Sequence, residues 1–226
     1  MADLGRVLWI DTSCGYTTVG MTEGRRVVGE VRLDLGRSQS THLPGMVEGL
    51  FRSLEVPMQS LDSIGVVVGP GAYTGLRVGV CYAQGLAEAI GVDMLPVPTL
   101  DALAQERTWG HSGPFISFLR AKKGLLYVAA YDDLSCGPFW GPVICEPSYL
   151  LKEVTARGIR LAKGPYCEEI ELMHQVGLSV MDVPSPSIRG MVGFVESCSP
   201  SGVSPADVRL MYLREPDFGP TPCKHP

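Results

Sequence analysis

The chain has 226 residues, 45% hydrophobic and 19% charged, enough apolar material for one sizeable core or for two lobes of roughly 100 residues each. A formal net charge of −5 and a pI near 5.4 argue against a surface built to neutralise many phosphates, and so against autonomous nucleic-acid binding. Low charge density and a mean hydropathy of +0.14 exclude a disordered chain.

Val7-Leu8-Trp9-Ile10 reads as a short buried strand. Tyr16 to Met21 and Arg26 to Leu35 read as two more, with Glu23-Gly24 supplying the hairpin turn. Leu43, Met46, Val47, Leu50, Phe51 and Leu54 then recur at helical spacing, with Pro44 in the first turn and Thr41 or His42 near the cap. Ile64 to Val68 is a buried strand. It runs into a glycine-rich loop, Gly69-Pro70-Gly71-Ala72-Tyr73-Thr74-Gly75, and a helix from about Leu76 to Ile90. A strand at Met94 to Val97 and a helix capped by Thr99, running to about Glu106, complete the order β-β-β-α-β-α-β-α.

From Pro114 the same order begins again. Strands are predicted at 115–119, 125–131 and 142–145, a helix at 148–156, a strand at 159–162, a helix at 167–176, a strand at 178–183 and a helix at 188–197. No sequence repeat accompanies this duplication, which rests on element order. Two hairpin-led β-β-β-α-β-α units predict an α/β, actin-like (ASKHA, ribonuclease-H-like) two-lobed fold with mixed sheets flanked by helices. The expected division is 1–107 for the N-terminal lobe, joined by part of the C-terminal segment, and 108–226 for the C-terminal lobe and tail. Thr108 to Pro114 would be the boundary and Gly219 to Pro226 a frayed end.

The apolar run Val7 to Ile10 is too short for a signal-peptide core, and no run approaches the roughly 18 apolar residues of a membrane span. Seven scattered cysteines without a Cys-x-x-Cys pair fit reduced thiols in the cytoplasm, with Cys14 and Cys81 as buried small residues. The four histidines lack a partner at metal-binding spacing, so no metal site is expected.

Asp11-Thr12-Ser13 ends the first strand, where open α/β sheets place ligands. Asp11 there could orient a magnesium-bound phosphate, or Asp11 and Ser13 could satisfy backbone amides of the turn. Gly69 to Arg77 is the most informative segment: its glycines permit positive φ and close backbone approach before a helix N-terminus. Thr74 could cap that helix and Arg77 could clamp an anion. A tight strand-to-helix corner with Arg77 paired locally explains the same residues. No lysine follows the last glycine, which excludes a P-loop. Gly75, Gly79, Ala83 and Ala87 form a small-residue ridge suited to close helix approach, either within the chain or against a partner. A Ser13, His42, Asp11 triad lacks the Gly-x-Ser-x-Gly elbow.

Three segments carry a resemblance. They are Leu8 to Ser13, the block Val67-Val68-Gly69-Pro70-Gly71-Ala72-Tyr73-Thr74-Gly75-Leu76-Arg77-Val78-Gly79, and Pro98 to Ala104. In order and spacing they resemble the TsaB (YeaZ) family over about the first 105 residues, and Tyr212-Leu213-Arg214 looks like its C-terminal Tyr-Leu-Arg. The resemblance implies a non-catalytic subunit in the making of N6-threonylcarbamoyladenosine at position 37 of tRNAs reading ANN codons. Its implied partners are the catalytic paralogue TsaD and the ATPase TsaE, with tRNA met mainly through the complex and no membrane involved. It also implies that this chain binds no cofactor tightly, ATP and metal being expected on the partner subunits. The family's dimer surface, used for TsaD or for a competing homodimer, maps here to Leu43, Met46, Val47, Leu50, Leu54, Gly75, Gly79, Tyr82, Ala83 and Leu86. Asp11, Ser13, Gly69, Pro70, Gly71, Tyr73, Thr74 and Arg77 would be a family motif or vestigial anion site. The rival to this scaffold reading is a stand-alone actin-like nucleotide hydrolase or kinase using Asp11 and the Gly69 to Arg77 loop.

Two stretches depart from the family pattern. Arg37 to Pro44 lacks the usual acidic residue, and Arg120-Ala121-Lys122-Lys123 has arginine where the family has aspartate.

Overall fold

The computed structural model describes residues 4–106, 113–132 and 136–214. Most of the expected lobe boundary and the whole of the expected frayed end lie outside them.

The first half is β1 (Arg6–Asp11), β2 (Tyr16–Glu23), β3 (Arg26–Asp34), α1 (Gln39–Leu54), β4 (Ser63–Gly69), α2 (Tyr73–Ile90), β5 (Asp93–Pro98) and α3 (Thr99–Ala104). The second half is β6 (Phe115–Lys122), β7 (Leu125–Tyr131), β8 (Trp140–Cys145), α4 (Pro147–Ala156), β9 (Leu161–Gly164), α5 (Ile170–Gln175), β10 (Ser179–Asp182) and α6 (Ile188–Cys198). Each half builds one five-stranded sheet, ordered β3-β2-β1-β4-β5 and β10-β9-β6-β7-β8. Read from its own first strand, each sheet has the same topology: an antiparallel meander of three strands, with two parallel strands added on the other side. This is the duplicated, actin-like arrangement that the element order predicts.

β1 lies at the centre of its sheet and is apolar on both faces, because helices cover both. Leu8 and Ile10 join the core under α1 and α2, whereas Val7 and Trp9 join the core under α6. Trp9 is fully buried, and its indole Nε1 donates to Thr22 Oγ1 at 2.9 Å. Gly65 on β4 makes room for it, since a Cβ there would overlap the Trp9 ring. The chain comes back from the second lobe to finish the first. Ile188, Met191, Val192 and Val195 of α6 pack on Val67, Leu95 and Val97, Val203 bridges to Met94, and the Met211 amide donates to the Val68 carbonyl at 2.8 Å. Between the lobes, Leu100 and Leu103 of α3 pack against Phe115, Leu119, Tyr127 and Tyr131.

Several local expectations are corrected. α1 starts at Gln39 rather than near Thr41, which places Pro44 inside the helix. The early start is explained by Gln39, which is buried and whose Nε2 donates to the Cys14 carbonyl at 2.9 Å. α2 starts at Tyr73, with the extended residue Ala72 as its cap, so Thr74 is in the first turn and caps nothing. α5 is only Ile170–Gln175. The cysteines are not all reduced: Cys136 and Cys198 are bonded to each other. Cys81 is exposed and Cys14 half-buried, where both were expected inside. No helix among the described residues is long and apolar enough to cross a membrane.

Candidate functional site: the glycine loop, the cleft and the outer helix faces

Asp11 closes β1 and is completely buried. One carboxylate oxygen accepts the Ser13 amide at 2.8 Å, while the other has no hydrogen-bond partner among the described residues. Burial pushes the carboxyl up to about 6, with the Ser13 hydrogen bonds and the Arg32 charge pulling the other way. The turn-satisfying role is therefore filled by a single oxygen. Ser13 Oγ lies 3.5 Å from Cys14 Sγ, and His42 Nδ1 meets the Ser38 carbonyl at 2.9 Å, so the Ser13, His42, Asp11 triad is not assembled.

The glycine-rich loop folds down onto this turn. A Cβ on Gly71 would lie 2.5 Å from the Ser13 carbonyl oxygen, and one on Gly75 would overlap that of Thr12. Gly69, at φ +117°, would bring a Cβ to 2.5 Å from the Met211 carbonyl oxygen. The Ala72 amide donates to Ser13 O at 2.7 Å, and Thr12 Oγ1 donates to Gly75 O at 2.7 Å. The close approach that glycine permits is thus used by the protein's own backbone, and the loop is a tight corner seated on Thr12 and Ser13. Pro70 follows Gly69 through a cis peptide bond.

Arg77 is exposed and locally held. Its guanidinium sits 4.2 Å from the Tyr73 ring centre, its Nε donates to the Tyr212 hydroxyl at 3.3 Å, and the two tyrosine rings lie 5.0 Å apart. Tyr73 and Arg77 of the glycine motif thereby form one cluster with Tyr212 of the C-terminal Tyr-Leu-Arg.

The expected interface residues divide sharply. Gly75, Gly79 and Ala83 face inward, Gly79 against the Thr12 side chain, and Leu43, Met46, Val47 and Leu50 are buried in the core beneath. These seven hold the helices to their own sheet, so a charge at Ala83 or Leu50 would break the core before it reached a partner. Leu54, Tyr82 and Leu86 are half-buried and remain available, together with Val78. Residue-by-residue reading missed Gly45, Gly49 and Gly85, where an added Cβ would meet nothing within 4 Å. Their signal was present: two glycines one turn apart in a helix cost about 1 kcal/mol each unless something needs them.

A cavity of about 1030 Å³ opens between the lobes, lined by Ser13, Tyr16, Arg37 and Tyr73 on one side and Arg120 and Tyr166 on the other. Arg120 reaches Glu168 at 3.5 Å and Glu169 at 3.9 Å. Across the lobes, Arg32 donates to Ser185 Oγ at 2.6 Å. A further inter-lobe tie is Lys163, which lies just past the strand predicted at 159–162. Its buried ammonium donates to the carbonyls of Ala104 at 2.7 Å and Glu106 at 2.8 Å and sits 3.9 Å over the Phe115 ring. Burial pulls its pKa down to about 8, against the opposing Glu106 charge.

The profile of the family described as TsaD, tRNA N6-adenosine threonylcarbamoyltransferase, matches residues 34–189. An uncharacterized protein of Mycobacterium leprae, ML0378, is 29% identical over 227 residues, covering 95% of this chain and 56% of its own length. The tRNA threonylcarbamoyladenosine biosynthesis protein TsaB of Bacillus subtilis is 30% identical over 127 residues, covering 56% of this chain and 55% of its own. The chain thus spans little more than half the length of these two relatives. The solved structure of YeaZ from Pseudomonas aeruginosa superposes with a TM-score of 0.77 at 24% identity, over 92% of this chain and 100% of that one. Matched by the family profile over more than half its length, the chain belongs to the tRNA N6-adenosine threonylcarbamoyltransferase family.

Proposed function

We propose that this protein is a non-catalytic scaffold that binds and activates the TsaD catalytic subunit for formation of N6-threonylcarbamoyladenosine at tRNA position 37. It works in the cytoplasm, with TsaE in the larger complex and tRNA met mainly through the assembly. The observation that carries this reading is the division of labour within α1 and α2. Their inner faces and the glycine loop are consumed by the protein's own backbone and core, which makes a rigid platform. Their outer faces present half-buried Val78, Tyr82 and Leu86 beside Gly45, Gly49 and Gly85, where a second helix pair can come close. A homodimer would use the same face and compete.

The glycine loop gives the stand-alone nucleotide hydrolase less support, because the carbonyls of Thr12, Ser13 and Met211 occupy the space beside its glycines. The test is co-purification with the TsaD of the same organism, using Tyr82→Arg and Leu86→Glu. Both variants should melt within a few degrees of the parent and lose the complex. Retention of the complex by both would overturn the proposal.

A further inference from the structure

The bonded pair Cys136 and Cys198 joins parts of the molecule that belong to different lobes. Cys136 lies in the connection between β7 and β8 of the second sheet, whereas Cys198 is the last residue of α6, the helix that covers the first sheet. Their Cα atoms are 4.9 Å apart and their sequence separation is 62 residues. That Cα spacing falls within the range a disulfide spans without moving the backbone.

We propose that Cys136 and Cys198 form a reversible redox staple between the two lobes, closed by a peroxide and opened by a thiol reductant. Access favours this pair: Cys136 is exposed and Cys198 half-buried, so small reactants reach the sulfurs. The competing thiols are placed differently. Cys145 and Cys167 are buried, and burial raises their pKa to about 11, while Cys14 is raised to about 12, so these three stay protonated and unreactive. Cys81 is exposed and free, on α2.

Closure balances with hydrogen peroxide as the oxidant. One cysteine thiolate attacks a peroxide oxygen, the O–O bond breaks, and a sulfenic acid and water result. The second thiolate attacks the sulfenic sulfur, forms the S–S bond and expels the oxygen as a second water. The two cysteines lose two electrons in all, and their two protons end in the two waters. A dithiol reverses the step through a mixed disulfide.

The consequence lies in the cleft. Non-covalent ties between the lobes, among the described residues, include the α3 packing, the Lys163 hydrogen bonds and the Arg32 to Ser185 contact. The staple adds a covalent tie, so its redox state sets how far the lobes can shift about the cavity.

The full-length protein would be reduced, desalted, treated with hydrogen peroxide and then with dithiothreitol, with alkylation and trypsin digestion at each stage. A linked pair of tryptic peptides, 124–152 with 190–209, joined through Cys136 and Cys198, should form with peroxide and disappear with dithiothreitol in the native protein. Hydrogen exchange at 136–139 and 195–199 should slow at least several-fold in the linked form. Cys136→Ser and Cys198→Ser should each remain folded and lose the link. The proposal is overturned if no such pair forms, if the link uses Cys145 or Cys81, if it resists reduction short of unfolding, or if exchange is the same in both forms.

Discussion

Arg77 and Tyr212, 135 residues apart, meet with the arginine Nε donating to the tyrosine hydroxyl at 3.3 Å. Tyr73 lies beneath both, with the Arg77 guanidinium over its ring and its own ring 5.0 Å from that of Tyr212. The arginine that sequence reasoning offers as an anion clamp thus fastens the returning C-terminal segment to the start of α2. Tyr212→Phe keeps the ring contact and should leave Tm nearly unchanged. Tyr212→Ala removes it and should lower Tm by about 2–4 °C. Limited proteolysis should then cut fastest within residues 205–214. Equal resistance in both variants would show that the cluster does not hold the segment.

Glycines of one helix should respond in opposite directions. At Gly75 a new methyl would strike the Thr12 carbonyl, a backbone atom that cannot yield, and Gly75→Ala should destabilise by about 2–4 kcal/mol in urea unfolding. At Gly85 there is open space, so Gly85→Ala should stabilise by about 0.5–1 kcal/mol through helix propensity alone. A bulkier Gly85→Leu should leave the isolated protein folded while reducing capture of the proposed partner. The reverse ranking at the two alanines would show that the packing of α2 is misread.

What the sequence made legible follows from local signals. Hairpin turns, strand patterning and the glycine block gave the element order of both halves, and the same order twice gave the architecture. Which face of α2 is free was not legible. Gly75, Gly79 and Ala83 are small whether they admit a partner helix or the Thr12 turn, and only the path of β1 beneath them decides between the two. Lys163 was missed for a related reason. A lysine at a strand end looks solvated until the carbonyls at the end of α3, some 57 to 59 residues away in sequence, arrive to receive it. The pairing of Cys136 with Cys198 depends on α6 returning to the first lobe, a crossing that no local spacing encodes.

Lys163 supplies a test of the inter-lobe joint. Lys163→Met fills similar volume but leaves the carbonyls of Ala104 and Glu106 without their donor, and should cost about 2–4 kcal/mol. Because the folded-state pKa lies below the unfolded value of 10.5, the unfolded chain binds the extra proton between about 8 and 10.5. The parent should therefore gain stability relative to Lys163→Met as pH rises through that window. A difference between the two proteins that stays flat from pH 7 to 10 would count against a buried, hydrogen-bonded ammonium.

Asp11 gives the opposite linkage and separates the two histories of this fold. Its carboxyl is raised to about 6 by burial, so the folded chain holds a proton that the unfolded chain releases near 3.8. The stability contributed by protonation is complete below about 3.8 and lost as pH rises through about 6. At pH 7 the ionised, half-satisfied carboxylate costs on the order of 3 kcal/mol. Asp11→Asn keeps an acceptor for the Ser13 amide and removes that charge. It should therefore raise Tm at pH 7.5 and have little effect at pH 4. A residue retained for a bound metal–nucleotide would behave differently: titration calorimetry of the parent with ATP and Mg²⁺ would show binding that Asp11→Asn abolishes. The scaffold reading expects no heat from either protein, with the stabilisation by Asn as the only difference between them.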